Sequence, residues 1–459
     1  MKVIVCGAGQ VGSNIARHLA TEDNEVTVID QNQDLVRKIS DSIDVRGIVG
    51  YASHPSVLER AGARETDMLI AVTYADEVNM VACQVAHSLF DVPTKIARVR
   101  SQTYLQPIWA DLFRRDHLPI DVIISPEIEV ARAIGRRLQV PGAFDSVPLA
   151  DGRVRVIGVH ITDDCPIINT PLRQLTDLFP ELHITIVAII RAEKVVVPRG
   201  DDQMLSGDDV YFAVDNDHVA RGMAAFGHEE SEARRVIVVG GGNIGLYLAQ
   251  ELETDAHPGV TAKVIEHSKA RAEFAAQSLS QTVVIHGDAL DPEILEEANV
   301  SSAEAIVAVT NDDEVNILCS LLAKGYGARR ALTLVNNMTY ESLITTLGVD
   351  VVVVPQAITV STILQHVRRG RIRAVHSLRE GVGEVIEAEA LETSSLVGVP
   401  LAKARLPKGI IVGAILRDGQ VLLPRPETAI KARDRVVIFS TPEAIRSVEK
   451  IFAVSLEFF

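Results

Sequence analysis

The chain reads as an α/β protein built by internal duplication, with two doubly wound parallel-sheet lobes, each followed by a small α+β lobe. Three observations predict this. Apolar strands alternate with helical segments of ~10 to 15 residues, the pattern of a parallel sheet covered on both faces. A glycine-rich strand-to-helix turn occurs twice, as Gly7-Ala8-Gly9-Gln10-Val11-Gly12 and Gly240-Gly241-Gly242-Asn243-Ile244-Gly245. Behind each turn, at a similar distance, stands the same phrase: Val72-Thr73-Tyr74-Ala75-Asp76-Glu77-Val78-Asn79 and Val309-Thr310-Asn311-Asp312-Asp313-Glu314-Val315-Asn316. The large lobes are therefore Rossmann-like, and whatever one half does the other was at least built to do.

In the first half the strand Val3 to Val5 enters the glycine turn, a helix runs around Ile15 to Ala20, and Glu25 to Asp30 returns as a strand, a βαβ unit. Helices near Asp34 to Ser40 and Ser56 to Ala61 flank a strand ending at Gly47 to Gly50. The strand Met68 to Thr73, the helix Glu77 to Leu89, the strand Lys95 to Arg100 and Val122 to Ile124 complete the sheet. The second half repeats the order with strands Val236 to Val239, Ala262 to Glu266, Thr282 to His286, Ala305 to Thr310 and Ala331 to Val335, and a helix over Glu314 to Lys324. Each sheet ends in a similar exit, Ser125-Pro126-Glu127-Ile128 and Val354-Pro355-Gln356-Ala357-Ile358, followed by an amphipathic helix and a smaller β-rich region. Those regions match too. Ile189 to Arg199 parallels Ile415 to Arg425, each a hairpin, and Asp208 to Phe212 parallels Asp434 to Phe439. Between the halves, the polar and acidic Gly227 to Arg234 suits an exposed linker.

At 459 residues the chain exceeds what one core serves and suggests three or four compact units. Scarce aromatics, 4%, beside abundant Val, Ile and Ala fit buried parallel strands. No apolar run approaches the ~20 residues of a membrane-spanning helix, and the N-terminus enters a strand at once, so the expectation is a cytosolic chain or one seated on a membrane protein. A formal charge of -16 argues against nucleic acid as a partner. Neither the 4 cysteines nor the 13 histidines show ligand spacing, which points away from disulfides and zinc. No GxxxxGK[ST] loop, GxSxG elbow or kinase signature occurs, which disfavours nucleotide hydrolysis and acyl transfer by the familiar routes.

The chemistry points to dinucleotide binding. Gly7 permits the tight turn, Gly9 lets a pyrophosphate approach the backbone, Gly12 lets helix and strand pack, and the free N–H groups that open the helix at Gln10 and Val11 face the phosphates. Asp30 would accept from an adenine ribose, which favours NAD(H) over NADP(H) because a 2′-phosphate would face a carboxylate. Gly240, Gly242, Asn243, Ile244, Gly245 and Glu266 repeat the set. The bland alternative is a packing turn with an empty pocket. Asp76-Glu77 and Asp313-Glu314 could suggest acid/base or metal chemistry, but Thr73-x-x-Asp76 and Thr310-x-x-Asp313 resemble capping boxes, and the structural reading is preferred. Arg98 and Arg100 lie on the next strand and could reach phosphate oxygens; the second half has Thr333 to Asn337 there, so this cation is not repeated. Arg132, Arg136 and Arg137 on the first exit helix, and Arg368, Arg369, Arg371 and Arg373 at the second, read as solvated faces or as an interface with an acidic partner.

With these residues in view, the chain resembles the tandem form of the RCK, or KTN, domain family that regulates potassium channels and transporters, over nearly its whole length. The resemblance implies an RCK N lobe over residues 1–124, a crossover helix and C lobe over 125–226, a second N lobe over 234–353 and a second crossover helix and C lobe over 354–459. It also implies a non-enzymatic regulatory subunit on the cytoplasmic face of the inner membrane, which binds NAD(H) and, as further ligands, ATP or ADP. That subunit assembles as a ring, a homotetramer, beneath a membrane-embedded Trk-type potassium translocating subunit. Carried over residue by residue, the nucleotide positions are Gly7, Gly9, Gly12, Asp30, Thr73 and Arg98, and Gly240, Gly242, Gly245, Glu266 and Thr310. The competing class, an NAD-dependent oxidoreductase, would need a positioned acid/base and a substrate pocket, and no His or Lys constellation offers them.

Overall fold

The computed structural model describes residues 1–22, 24–179, 182–192, 194–254, 257–337, 340, 344, 347–367, 372–378 and 382–452. Two compact units contain them, one drawn from residues 1–130 and 355–367, the other from 131–354 and 368–459.

Six strands open the chain: β1 (Lys2–Cys6), β2 (Glu25–Asp30), β3 (Arg46–Val49), β4 (Met68–Ala71), β5 (Thr94–Arg98) and β6 (Val122–Ile124). They form an all-parallel sheet of order β3-β2-β1-β4-β5-β6. Helices α1 (Gln10–Thr21), α2 (Gln33–Ser42), α3 (Pro55–Arg60) and α4 (Asp76–Phe90) make the crossovers, and α5 (Pro126–Leu138) leaves the sheet. Alternate strand residues serve two cores. Ile4, Cys6, Leu69 and Ala71 face one, Val3, Val5, Val28 and Ile70 the other, which is why these strands are apolar throughout. Because the chain builds outward from β1 to β3 and then restarts on β1's other side, a crevice opens at the carboxyl ends of β1 and β4.

The smaller lobe that follows comprises β7 (Ala143–Leu149), β8 (Val154–His160), α6 (Leu172–Leu178), β9 (Ile184–Arg191), β10 (Lys194–Val196), β11 (Asp209–Asp215) and α7 (Val219–Ala225), its sheet antiparallel in the order β10-β9-β11-β8-β7. The second large lobe repeats the first through β12 (Arg235–Val239), α8 (Asn243–Leu252), β13 (Thr261–Glu266), α9 (Lys269–Ser278), β14 (Val283–His286), α10 (Pro292–Glu297), β15 (Ala305–Ala308), α11 (Asp313–Gly325), β16 (Ala331–Leu334) and β17 (Val351–Val353), in the order β14-β13-β12-β15-β16-β17. Its exit helix is α12 (Pro355–Leu364). The last lobe holds β18 (Ile372–Ser377), β19 (Glu384–Glu389), β20 (Ile410–Arg417), β21 (Gln420–Leu422), β22 (Arg435–Ser440) and α13 (Ile445–Ile451), in the order β18-β19-β22-β20-β21. Both hairpins expected from the sequence are present, β9 with β10 and β20 with β21.

Strand ends differ from the sequence expectation in one consequential way. β4 and β15 stop at Ala71 and Ala308, so Thr73 and Thr310 lie beyond them, in the loops that lead to α4 and α11. Arg98 closes β5, and Arg100 falls in the loop after it.

The exit helices pack across the duplication. Although α12 follows the second sheet in sequence, it belongs to the unit of the first: Val360, Ile363 and Leu364, with Val367 just after the helix, are buried against Val3, Val5, Ile15 and Leu19. Each such aliphatic side chain removed from water is worth about 1.5–3 kcal/mol. Residues 131–138 of α5, correspondingly, belong to the other unit, where a Cβ at Gly135 would lie 3.1 Å from the Glu251 carboxylate of α8. In that unit the two antiparallel sheets share a core of Val187, Ala213, Ala414 and Val437. Gly413 lets them close, since a Cβ there would stand 2.9 Å from Val187. Glu387 on β19 is buried where the two small lobes meet, accepting from the Ala150 amide at 2.7 Å and from Arg435 Nε at 2.6 Å.

All four cysteines are free and buried. Burial above all pushes the thiols up, Cys83 and Cys319 to about 12 and Cys6 higher still. The thiolate is the reactive form. We expect the native protein to resist alkylation at neutral pH and to gain four modified cysteines, by mass, only when denatured; rapid native labelling of Cys83 would contradict the packing.

Candidate functional site

The three glycines of the first turn are glycine for three different reasons. Gly7 has φ +111°, and a Cβ on it would lie 3.0 Å from the Val72 carbonyl oxygen. At Gly12 a Cβ would fall 1.9 Å from the Gly7 carbonyl oxygen, so α1 and the turn close only without a side chain. A Cβ at Gly9 would meet nothing within 4 Å. The fold itself therefore places no demand on Gly9; what its missing side chain leaves is open space before the helix. That helix start has no side-chain cap and no acidic residue in its first turn, so the N–H groups there have the polarity to receive an anion. The second turn repeats each point. Gly240 has φ +103°, a Cβ at Gly245 would lie 1.9 Å from the Gly240 carbonyl oxygen, Gly242 faces nothing within 4 Å, and α8 is uncapped.

Gln10 and Asn243 open the two helices and are exposed, while Val11 and Ile244 behind them are half-buried. Gln10 has a partner the sequence did not suggest: Gln356 of α12 donates from Nε2 to its Oε1.

The two acids hold the turns. Asp30 accepts from the Ala8 amide at 2.7 Å and the Asn32 amide at 2.8 Å, one on each carboxylate oxygen. Glu266 accepts in the same way from Gly241 at 2.6 Å and Ser268 at 2.7 Å. Each oxygen retains lone-pair capacity, so the carboxylate can fix the turn and still accept from a ribose hydroxyl.

The doubled phrase is a structural clamp, of a different kind from the capping box its spacing suggested. Asn79 is fully buried; its Oδ1 accepts from the Thr73 amide and hydroxyl at 2.8 and 2.7 Å, and its Nδ2 donates to the carbonyls of Thr73 and Arg98 at 3.2 and 2.9 Å. It thus ties the end of β4 to the end of β5. Asn316 makes the same four bonds to Thr310 and Leu334. Asp76 does not reach back toward Thr73. It is buried and accepts from the amides of Arg100 and Ser101, as Asp313 does from Asn336 and Asn337. At the second helix the cap is Asp312, which accepts from Val315. Glu77 and Glu314 accept from Tyr104 and Tyr340. Among the described residues no group of His, Cys, Asp and Glu is arranged to hold a metal ion. The asparagines escaped sequence reasoning, although they stand inside the most strongly repeated segment of the chain, and that repetition was the available signal.

Arg98 stands at the rim of the first crevice with its Nε buried and unpartnered. Burial, and then the neighbouring Arg100, lower its pKa. Arg100 is committed elsewhere, donating to Glu127 at 2.9 Å and lying over the Tyr74 ring. An orphaned guanidinium nitrogen at the end of β5, two strands from the uncapped helix start after β1, fits an anionic ligand that spans the crevice. Of the arginines singled out at the exits, Arg137 of α5 binds Asp145 at 3.1 Å, and Arg373, which lies on β18 rather than on the helix, binds Glu389. Arg368, Arg369 and Arg371 lie outside the described residues.

Fold and turns together define a protein with two nucleotide-binding domains of the Rossmann type, each followed by a small antiparallel lobe. The chain matches the TrkA-N domain family over residues 3–126 and 236–355, and the TrkA-C domain family over 156–227 and 385–453. It is 55% identical over 459 residues to the Trk system potassium uptake protein TrkA of Azorhizobium caulinodans, covering 100% of both chains. It is 41% identical to the protein of that name from Halomonas elongata, again covering 100% of each. The crystal structure of the GsuK RCK domain is similar at TM-score 0.59 and 18% identity, covering 98% of this chain and 94% of that one. The GsuK channel bound to NAD is similar at TM-score 0.59 and 19% identity, covering 98% and 78%. The chain belongs to the TrkA family, which sets it among potassium-uptake components rather than oxidoreductases.

The clamp and the two kinds of turn glycine make graded stability predictions. Asn79→Ala strands buried groups on two strand ends and should cost about 2–4 kcal/mol. Gly12→Ala overpacks a carbonyl and should cost about 1–3 kcal/mol or more. Gly9→Ala, entering open space, should stay within about 0.5 kcal/mol of the parent. Denaturant titration of the three variants checks the order; a Gly9→Ala loss equal to that of Gly12→Ala would contradict the geometry.

Proposed function

We propose that the chain is the cytosolic, nucleotide-sensing regulatory subunit of a Trk-type potassium uptake system. It binds NAD(H), and ATP or ADP as further ligands, at both glycine turns. It assembles as a homotetrameric ring under a membrane-embedded translocating subunit on the cytoplasmic face of the inner membrane. One observation carries this reading. In each half the middle glycine of the turn is spared a side chain for no reason internal to the protein, at an uncapped helix start flanked by an acid. Membership of a potassium-uptake family supports the physiological context, as does NAD bound to the similar GsuK channel. No described helix is long and apolar enough to cross a membrane, which fits a partner that supplies the pore.

In this account Gly7, Gly9, Gln10, Val11 and Gly12 receive a pyrophosphate through backbone N–H groups, Asp30 accepts from the adenosine ribose, and Thr73 and Arg98 line the far side of the crevice. Gly240, Gly242, Asn243, Ile244, Gly245, Glu266 and Thr310 repeat these roles. A ligand moves an assembly only through different affinities for two of its arrangements. The contact through which that difference can act is the Gln356 bond to Gln10, because it joins a pyrophosphate-binding residue to α12, a helix that covers the first sheet and continues from the second. Nucleotide seated on the turn then biases the helix, and the ring transmits the bias to the transporter.

Potassium uptake by cells carrying Gly9→Asp or Asp30→Ala protein tests the proposal. A carboxylate set against the phosphates in Gly9→Asp, or the lost ribose acceptor in Asp30→Ala, should weaken NADH binding by roughly 10- to 100-fold and abolish its effect on uptake. Folded variants with unchanged uptake and an unchanged nucleotide response would remove the first site from the mechanism.

A further inference from the structure

The two candidate sites carry one arginine each, at positions where the other carries leucine. Asn79 bonds the carbonyl of Arg98, and its twin Asn316 bonds that of Leu334, so these two residues are structural counterparts. Asn32 and Ser268 occupy the N-cap positions of α2 and α9; the third residue inside each helix is Leu35 in one half and Arg271 in the other. Leu334 is buried, Leu35 packs against the first core, and neither half keeps both cations.

The two guanidinium groups stand on opposite sides of their glycine turns. In the first sheet β2, with the acid at its end, lies on one side of β1, while β5 lies beyond β4 on the other. A ligand with its ribose at the acid and its phosphates at the turn must run toward β4 and β5. Arg98 therefore waits past the phosphates, with its buried Nε unpartnered. In the second sheet the β16 position of that cation is occupied by Leu334, and Thr333 beside it is spent on Ser320 at 2.7 Å. Arg271 instead rises from the helix behind the acid strand β13, on the adenosine side. Its Nη2 donates to the Gly241 carbonyl at 2.8 Å, and its guanidinium lies 5.4 Å over the half-exposed ring of Phe274. In the first turn the equivalent carbonyl, of Ala8, is satisfied by the Ser13 hydroxyl at 2.8 Å, from the opposite helix. The second half has thus moved this donor across the turn and made it a cation with a planar face, a group suited to stack on a base and to reach ribose oxygens.

We infer that the two sites read opposite ends of the same class of ligand: Arg98 makes the first sensitive to charge beyond the second phosphate, and Arg271 makes the second an adenosine reader indifferent to it. The inference rests on the nucleotide-binding reading above. The first site then favours ATP over ADP, because a third phosphate finds an unsatisfied guanidinium. The second binds ADP, ATP and NADH alike, since Leu334 stands where the first has Arg98.

Calorimetric titration of the full chain with ADP, ATP and NADH tests this, each site being isolated by placing Asp at the open glycine of the other. With Gly242→Asp protein, ATP should bind about tenfold more tightly than ADP, and adding Arg98→Leu should bring the ratio to about one. With Gly9→Asp protein the ratio should already be about one, and Arg271→Leu should weaken all three ligands by about tenfold. Leu35→Arg, made with Gly242→Asp, gives a second arm that is independent of Arg271: it should tighten ADP and ATP equally at the first site. Equal ATP-to-ADP ratios at the two sites, or an Arg271→Leu second site that keeps its affinities, would overturn the inference while leaving nucleotide binding intact. Wild-type protein that binds none of the three would remove the parent reading and this one with it.

Discussion

The structure depends on a backbone closing against itself. Where α1 leaves its strand, a Cβ at Gly12 would stand 1.9 Å from the Gly7 carbonyl oxygen, and Gly245 meets Gly240 at the same distance. Only because that contact is bare can the helix start sit directly above the strand end with its N–H groups directed into the crevice. The carboxylates then fix the loop: Asp30 and Glu266 each hold the amide of the second turn residue and that of a residue just past their own strand. Glycine supplies the approach and the acid supplies the rigidity.

Around this turn the duplication has been conservative in scaffolding and free in chemistry. The asparagine clamp is copied bond for bond. So is an ion pair of the small lobes, in which Arg191 grips Asp208 and Arg417 grips Asp434 through paired Nε and Nη2 contacts of 2.6 to 2.9 Å. Both aspartates are buried and also accept a backbone amide, from Leu205 and Lys431. Losing such a partner would leave a buried charge, a cost that keeps both copies intact. The residues that border the crevice without supporting it, Arg98 against Leu334 and Leu35 against Arg271, have exchanged character.

Much of this was legible in the sequence because it is local. Turn glycines, an acid at the next strand end and alternating apolar segments announce themselves within a single βαβ unit, and the repeated phrase marked the duplication. What stayed hidden depends on distant partners. The spacing of Thr73 and Asp76 imitates a capping box, yet the carboxylate's acceptor capacity is used by amides of Arg100 and Ser101, which only the folded sheet brings near. The amphipathic segment after Pro355 was readable as a helix, while its seat on the first sheet was not, since nothing local distinguishes one apolar groove from another. Arg271 has no twin, so a comparison of the halves passes over it.

Hydrogen–deuterium exchange of the intact protein, with and without NADH, tests the central claim most directly. The account predicts slower exchange at the amides of residues 9–13 and 242–246 when nucleotide is added, together with protection in 355–364 through the Gln356 contact. Exchange at both turns that is the same with and without saturating NADH would contradict it.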